Sequence, residues 1–256
     1  MIYIVLGMGF SGTTLVSELI HHAGVAMIDA EDDRYDSGGK YEHPDFQDIN
    51  KELLDLNNDQ VLHLRPQHCP TALNVIYSKD MHRLVDHQLR QHASWGFKDP
   101  RTVVTYPLWC GVLPRHKVIA VYRDPAGNWP RHRWRGYRRR YINGWRALVH
   151  LRQRCEYNEA ILKYGASLDV DFLLLNYERM MSGDEELTRM REFLGRDIED
   201  RRKPAMFRTR SSGDFLFRII RQIMNRTGPW RPCNTMDKLE KVRTKQITRN
   251  KNFVKS

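Results

Sequence analysis

The apolar residues of this chain follow two spacings, one typical of strands and one typical of helices. Short β-rich apolar runs at Ile2 to Leu6, KVIAVY (117–122) and VDFLLLNY (170–177) predict buried strands. Apolar residues at helical spacing predict a helix in TTLVSELIHHAG (13–24) and in four later segments: Thr71–His92, Tyr141–Tyr164, Asp184–Leu194 and Gly213–Met224. Because strands alternate with helices, the pattern predicts an α/β fold with a mainly parallel sheet flanked by helices.

Polar motifs follow the predicted strands, at the point where each strand ends. They are Gly7 to Thr14, Lys98-Asp99-Pro100-Arg101 after the short apolar WGF, Arg123-Asp124-Pro125, and Tyr177-Glu178. In open parallel sheets, the ligand crevice lies beyond the carboxyl ends of the strands. The sequence therefore predicts one shared site at this edge of the sheet.

The segment GMGFSGTT (7–14) has the spacing of a phosphate-binding P-loop, in which Lys and then Ser or Thr normally follow the last glycine. Here Thr13 and Thr14 occupy those positions. Glycines let the backbone curl around a phosphate, and the amides that open the next helix hold the anion. The missing lysine is the group that reaches the β- and γ-phosphates of a nucleoside triphosphate. The loop thus predicts a three-layer αβα fold of the P-loop type, and it favours a nucleotide other than a triphosphate.

Length and charge narrow the function further. The 256 residues predict a single domain over 1–256, with a flexible basic tail at 232–256. The formal net charge of +11 predicts attraction to anions. The four cysteines are far apart and lack a CxxC pair, which predicts reduced thiols and a cytoplasmic protein. No stretch approaches the roughly 18 consecutive apolar residues of a membrane span.

Six segments, in order along the chain, carry a resemblance to a known family. They are SGTTLVSELIHHAG (11–24), GKYEHPDFQDINKELL (39–54), WGFKDPRT (95–102), VIAVYRDP (118–125), YERMMSGDEELTRMREFLG (177–195) and GPWR (228–231). These segments resemble the P-loop sulfotransferases, especially their bacterial and carbohydrate-acting branch. The resemblance covers nearly the whole chain and implies that the donor is 3′-phosphoadenosine 5′-phosphosulfate. The acceptor it implies is a hydroxyl, preferably of a carbohydrate, or an amine.

The resemblance implies donor-binding roles for the loop and for several arginines. In the loop, these residues are Gly9, Phe10, Ser11, Gly12, Thr13 and Thr14. Arg123 is expected to bind the 3′-phosphate, because a planar guanidinium grips phosphate oxygens in bidentate fashion. Arg131 and Arg231 are weaker candidates for the same phosphate, and a salt bridge with Asp124 or another acid is the alternative role of Arg123. No metal is implied, because His82, His87 and His92 are spaced to point to different helix faces.

The chain departs from the family pattern at two positions. Phe10 stands where the family usually has Lys or Arg beside the bridging oxygen of the donor, and Arg131 stands where it usually has Ser. Lys98 and Arg101 are the expected replacements for the missing cation, since their segment faces the same crevice. An internal ion pair with Asp99 is the equally open alternative for both.

A transferase must also remove a proton from its acceptor. Glu42 is the expected base, by resemblance to the acidic residue of the family's acceptor-side segment, and the adjacent His43 is the second candidate. A solvated loop carboxylate is the alternative role of Glu42.

Two other functions stay open from sequence alone. One is a nucleotide-dependent kinase, which Thr13 disfavours. The other is a catalytically degenerate sulfotransferase-like module that binds an acidic glycan or nucleic acid, which Phe10 and the arginine-aromatic segment RHRWRGYRRRY (131–141) favour. Nucleic acid is not the favoured partner, because such a segment is more often a solvated basic face. The sequence makes no prediction of oligomeric state.

Overall fold

A computed structural model of the chain describes residues 1–28, 41–55, 65–70, 75–132, 140–167, 170–203 and 215–253. Within them, four parallel strands form one sheet in the order β2-β1-β3-β4. The strands are β1 (Ile2–Leu6), β2 (Trp95–Lys98), β3 (His116–Tyr122) and β4 (Asp171–Asn176). Nearly every residue of β1, β2 and β3 is buried, as expected for a parallel sheet covered on both faces.

Helices cover both faces of this sheet. Their bounds are α1 (Thr13–His22), α2 (Pro44–Leu53), α3 (Val75–Gln91), α4 (Thr102–Cys110), α5 (Pro125–His132), α6 (Arg140–Ser167), α7 (Tyr177–Ser182), α8 (Glu185–Leu194), α9 (Phe215–Thr227) and α10 (Pro232–Phe253), and Pro66–His68 form a 3-10 turn. Alternate residues of β1 point to opposite cores. Ile4 packs with α2, α3, α4 and α6, whereas Val5 packs with α1 and α8. The predicted three-layer αβα fold is confirmed.

The predicted strands and helices are found close to their expected bounds. The strand predicted at 117–122 begins one residue earlier, at His116, and the helix expected over 141–164 runs from Arg140 to Ser167. Residues 71–74 and 213–214, where two predicted helices would begin, lie outside the described part of the chain. Helices α2, α4, α5 and α7 were not predicted, because each is short and adjoins a polar motif that carries little periodic signal.

The C-terminal segment differs from its prediction as a flexible tail, since α10 is a 22-residue helix bound to the sheet. Gln246 bonds the edge strand β4 with both ends of its amide: its Oε1 accepts from Leu174 N at 3.1 Å and its Nε2 donates to Phe172 O at 2.8 Å. Arg243 pairs with Glu185 and Glu186 of α8. The sequence alone suggested a tail because the segment is anchored by polar side chains. Their partners lie far away in the sequence, so no local apolar pattern marks the helix.

Within the described residues, no helix combines the length and apolar character that crossing a membrane requires.

Candidate anion site

The loop between β1 and α1 is shaped by one glycine with a left-handed backbone. Gly12 has φ 98°, and a Cβ added there would lie 2.0 Å from Cδ2 of Tyr177. Only glycine therefore fits between this ring and the start of α1. The amide of Ser11 donates to Met8 O at 3.1 Å and closes the turn. Among the described residues, no side chain caps α1, so the first-turn amides face the loop without such a partner.

The loop residues divide into buried and exposed positions. Ser11 and Thr13 are buried, whereas Thr14 is exposed. Phe10 also has a positive φ, 64°, which is uncommon for a residue with a side chain, and its side chain is 48% exposed. Position 10, where a cation is expected by resemblance, is thus an exposed bend of the loop.

Arg154, on α6, contacts the loop from its buried side. Its side chain is 1% exposed. Nη2 donates to Gly9 O at 2.6 Å, and Nη1 donates to Ser11 Oγ. A cation thus bonds both residues that flank Phe10.

Arg123 lies at the carboxyl end of β3, next to the loop. Its guanidinium carbon is 4.7 Å from the centroid of the Tyr177 ring, the same ring that packs on Gly12. Nη2 donates to Gly127 O at 3.1 Å, and Nε lies 3.4 Å from Glu178 Oε1. The ion pair considered for Arg123 is present in the structure, with Glu178 of α7 as the acid.

Glu178 and Asp124 are the acidic groups of this cluster. Burial raises the pKa of Glu178 to about 6, although Arg123 opposes the shift. Asp124 binds Arg221 of α9 in bidentate fashion, with N–O distances of 3.0 and 2.8 Å. Both carboxylates are therefore engaged by arginines at the end of β3.

Lys98 and Glu42, two predicted catalytic residues, form a direct ion pair. Lys98 is 1% exposed, and burial lowers the pKa of its amine while Glu42 opposes the shift. Gln47 Nε2 donates to the other Glu42 oxygen at 2.8 Å. The Glu42 side chain remains partly exposed, and Lys98 and Gln47, which each bond one of its oxygens, hold its orientation.

His43 and Arg101 have evident structural roles. His43 is buried and caps α2, because its Nδ1 accepts from Asp45 N at 3.3 Å. Arg101 pairs with Asp99, with Nη1 3.0 Å from Oδ2 and the backbone amide 2.6 Å from Oδ1. Burial raises the pKa of Asp99 to about 6 while Arg101 opposes the shift. For Arg101, the alternative of an internal pair with Asp99 is what the structure contains.

The remaining predicted residues are less connected to the loop. Arg231 is exposed between α9 and α10. Arg131 is in α5, but its side chain lies outside the described residues, as does most of the segment 131–141. Within the described part of the chain, no group of three or more His, Cys, Asp and Glu residues is placed to hold a metal ion.

Sequence reasoning missed Arg154 and Arg221 and gave Glu178 no role. A signal for Arg154 does exist. The residue falls on the apolar stripe of α6 formed by Ala147, Leu151 and Ile161, all of which are buried. A charge on a buried helical face needs a partner, and the sequence pattern could have raised that question.

The fold and this loop define a three-layer α/β protein with a glycine-rich loop between its first strand and first helix. No protein-family model matches the chain, and a search of curated proteins gave no match. Among solved structures, it is similar to the sulfotransferase domain from the Synechococcus PCC 7002 olefin synthase. The two share 18% sequence identity and a TM-score of 0.48 over 94% of each chain.

Proposed function

We propose that the chain binds 3′-phosphoadenosine 5′-phosphosulfate at this loop and transfers its sulfonate to an acceptor hydroxyl or amine. A carbohydrate hydroxyl is the preferred acceptor. The observation that carries the proposal is the half-buried Arg123 beside a phosphate-type loop without a lysine. This arrangement offers a loop for the 5′-phosphosulfate and a separate guanidinium for a second phosphate.

The reaction needs alignment and charge stabilisation. The acceptor oxygen or nitrogen attacks sulfur, the bond from sulfur to the bridging oxygen of the 5′-phosphate breaks, and adenosine 3′,5′-bisphosphate leaves. Amides from Gly12 to Thr14, the Ser11 hydroxyl and the two threonine hydroxyls would stabilise the charge that develops on the leaving phosphate.

Glu42 would accept the proton of the acceptor, since its carboxylate is partly exposed at the end of β2. Lys98 then acts through Glu42, because its ammonium is bonded to that carboxylate. This makes Lys98 a positioning residue for the base. His43 is less suited to the same task, because it is buried and its Nδ1 is used by the helix cap.

The donor assignment is tested by comparing the affinities of adenosine 3′,5′-bisphosphate and adenosine 5′-phosphate by titration calorimetry. The bisphosphate should bind about ten- to a hundredfold more tightly, as one charge-assisted contact would give. Arg123→Ala should remove most of that preference, whereas Arg115→Ala, which alters an 85% exposed arginine just before the amino end of β3, should leave it. Equal affinities of the wild type for the two nucleotides would refute the donor assignment.

A second candidate, a non-catalytic anion-binding module, is favoured by the exposed Phe10 at the position closest to the chemistry. That module would bind the bisphosphate but show neither sulfonate transfer to any acceptor class nor hydrolysis of the donor.

We also propose that the protein works in a reducing compartment, the cytoplasm, because all four cysteines are free thiols.

A further inference from the structure

Arg154 differs from the other buried arginines of the described chain in its partners. Arg101 pairs with Asp99, Arg189 has Glu186 Oε2 at 2.6 Å, and Arg243 pairs with Glu185 and Glu186. Among the described residues, no carboxylate forms an ion pair with Arg154, although it is 1% exposed. Its charge is therefore buried without direct compensation, which is costly unless another anion occupies the site.

The partners of Arg154 are all neutral. They are Gly9 O, Ser11 Oγ and, in the amide orientation that satisfies both of its ends, the side-chain oxygen of Asn128. Burial next to Arg123 lowers the pKa of Arg154 to about 9, so the side chain is still protonated at neutral pH. Glu178 and Asp124 act on it only at longer range, and each is already bonded to another arginine.

The cluster at the end of β3 therefore carries a surplus of positive charge. Within the part of the chain that the structure describes, the guanidinium groups of Arg123, Arg154 and Arg221 lie with two carboxylates, those of Glu178 and Asp124. An anion in the loop would balance the surplus.

The bonds of Arg154 also fix the groups that line the loop. The carbonyl of Gly9 is held toward α6, where its negative end cannot repel an anion in the loop. Ser11 Oγ accepts from Arg154, so its own hydrogen remains for a ligand oxygen. Both bonded residues flank Phe10, the position that lacks a cation.

The geometry points to Arg154 as the positioning residue of the loop, a buried cation that fixes Gly9 and Ser11 and supplies positive charge that Phe10 cannot. The inference rests on the proposed function for the identity of the anion, a 5′-phosphosulfate. In this inference, the positive charge that stabilises the leaving group comes from Arg154 on α6. It does not come from Lys98, whose ammonium is bonded to Glu42.

The test compares Arg154→Met, which keeps the side-chain bulk without the charge, with Arg154→Lys, which keeps the charge. Arg189→Met is the matched control, because it removes a buried arginine whose partners are on α8, β4 and α10. Dissociation constants are measured for inorganic pyrophosphate, adenosine 5′-phosphate and adenosine 3′,5′-bisphosphate, together with the melting temperature of each variant.

Arg154→Met should weaken pyrophosphate and both nucleotides by about ten- to a hundredfold, while the preference for the 3′-phosphate remains. Arg154→Lys should retain part of the affinity, and Phe10→Arg should restore part of it in Arg154→Met. Arg189→Met should lower only the melting temperature. Unchanged pyrophosphate affinity in Arg154→Met, or a loss that neither Arg154→Lys nor Phe10→Arg reverses, would overturn the inference.

The same binding measurements distinguish a failure of the proposed function from a failure of the role of Arg154. A wild type that binds pyrophosphate through Arg154 but shows no preference for the 3′-phosphate would refute the donor and leave the role of Arg154 intact. A wild type that does not bind pyrophosphate would overturn the role of Arg154 as well.

Discussion

At the scale of single residues, two of the groups expected to act in catalysis, Lys98 and Glu42, form one ion pair. The sequence treats Lys98 as a replacement cation and Glu42 as a base, whereas the structure joins their side chains. Removing the carboxylate partner of a buried ammonium strongly destabilises the folded protein. Variants of either residue therefore need a stability measurement beside the kinetic one.

Glu42→Gln should lower turnover by about 10²–10⁴-fold and leave donor affinity nearly unchanged, because glutamine keeps an oxygen for Lys98 but cannot take a proton. Sulfonate transfer, or donor hydrolysis, is measured at a temperature where the melting curve shows a folded protein. His43→Gln is the control, and its expected effect is a loss of stability from the α2 cap. A severe kinetic defect in His43→Gln with a mild one in Glu42→Gln would reverse the two roles.

Under the proposed function, Glu178 would compete with the 3′-phosphate for Arg123, and the raised pKa of Glu178 would set the pH at which it does so. Above about pH 6 the carboxylate is charged and pairs with Arg123, whereas below that pH it is neutral and releases the arginine. Glu178→Gln should therefore bind adenosine 3′,5′-bisphosphate about three- to tenfold more tightly than the wild type at pH 7.5, in keeping with a partly exposed pair.

At pH 5 the two proteins should bind that nucleotide equally. Taking the ratio of their affinities cancels the titration of the ligand's own phosphates, which occurs in the same range. Glu159→Gln, which alters an exposed carboxylate paired with Lys238, is the matched control and should track the wild type. A ratio that does not change with pH would show that Glu178 does not control Arg123.

At the scale of elements, the loop between β1 and α1 depends on Gly12 and tolerates change at Gly9. Gly12→Ala places a Cβ on a backbone with φ 98° and against the Tyr177 ring. It should therefore lower the free energy of unfolding by about 1–3 kcal/mol. Gly9→Ala should stay within about 0.5 kcal/mol, because a Cβ there meets no atom within 4 Å in the described structure. Denaturant unfolding measures both. Equal losses of stability would mean that this loop conformation is wrong.

At the scale of the whole molecule, α10 closes the edge of the sheet that β4 would otherwise expose. Gln246→Leu removes the donor and the acceptor that satisfy the backbone of β4, and it should cost about 1–3 kcal/mol of unfolding free energy. Lys245→Leu, at the exposed neighbouring position, is the control and should be nearly neutral. Equal effects of the two changes would indicate that α10 does not cap the strand. The single domain over 1–256 stays a prediction.

The sequence by itself determined the strands, most of the long helices and the edge of the sheet where polar motifs gather. These follow from local periodicity and from the rule that parallel strands end on the same side. It also located the lysine-free loop, because glycine spacing is a local signal. The sequence did not predict the strand order, because strands that pair lie far apart in the chain. It did not predict α10 either, because the groups that anchor this helix are distant in sequence.

Only the tertiary structure decided which charges meet at the site. Lys98 pairs with a glutamate 56 residues away, and Arg154 bonds a serine 143 residues away. A charged side chain that is buried must be paired or hydrogen-bonded, but local sequence does not say which distant group will do it. The fold selects that partner by bringing α6 against the loop, and so the buried cation that bonds both neighbours of position 10 could be named only from the packed structure.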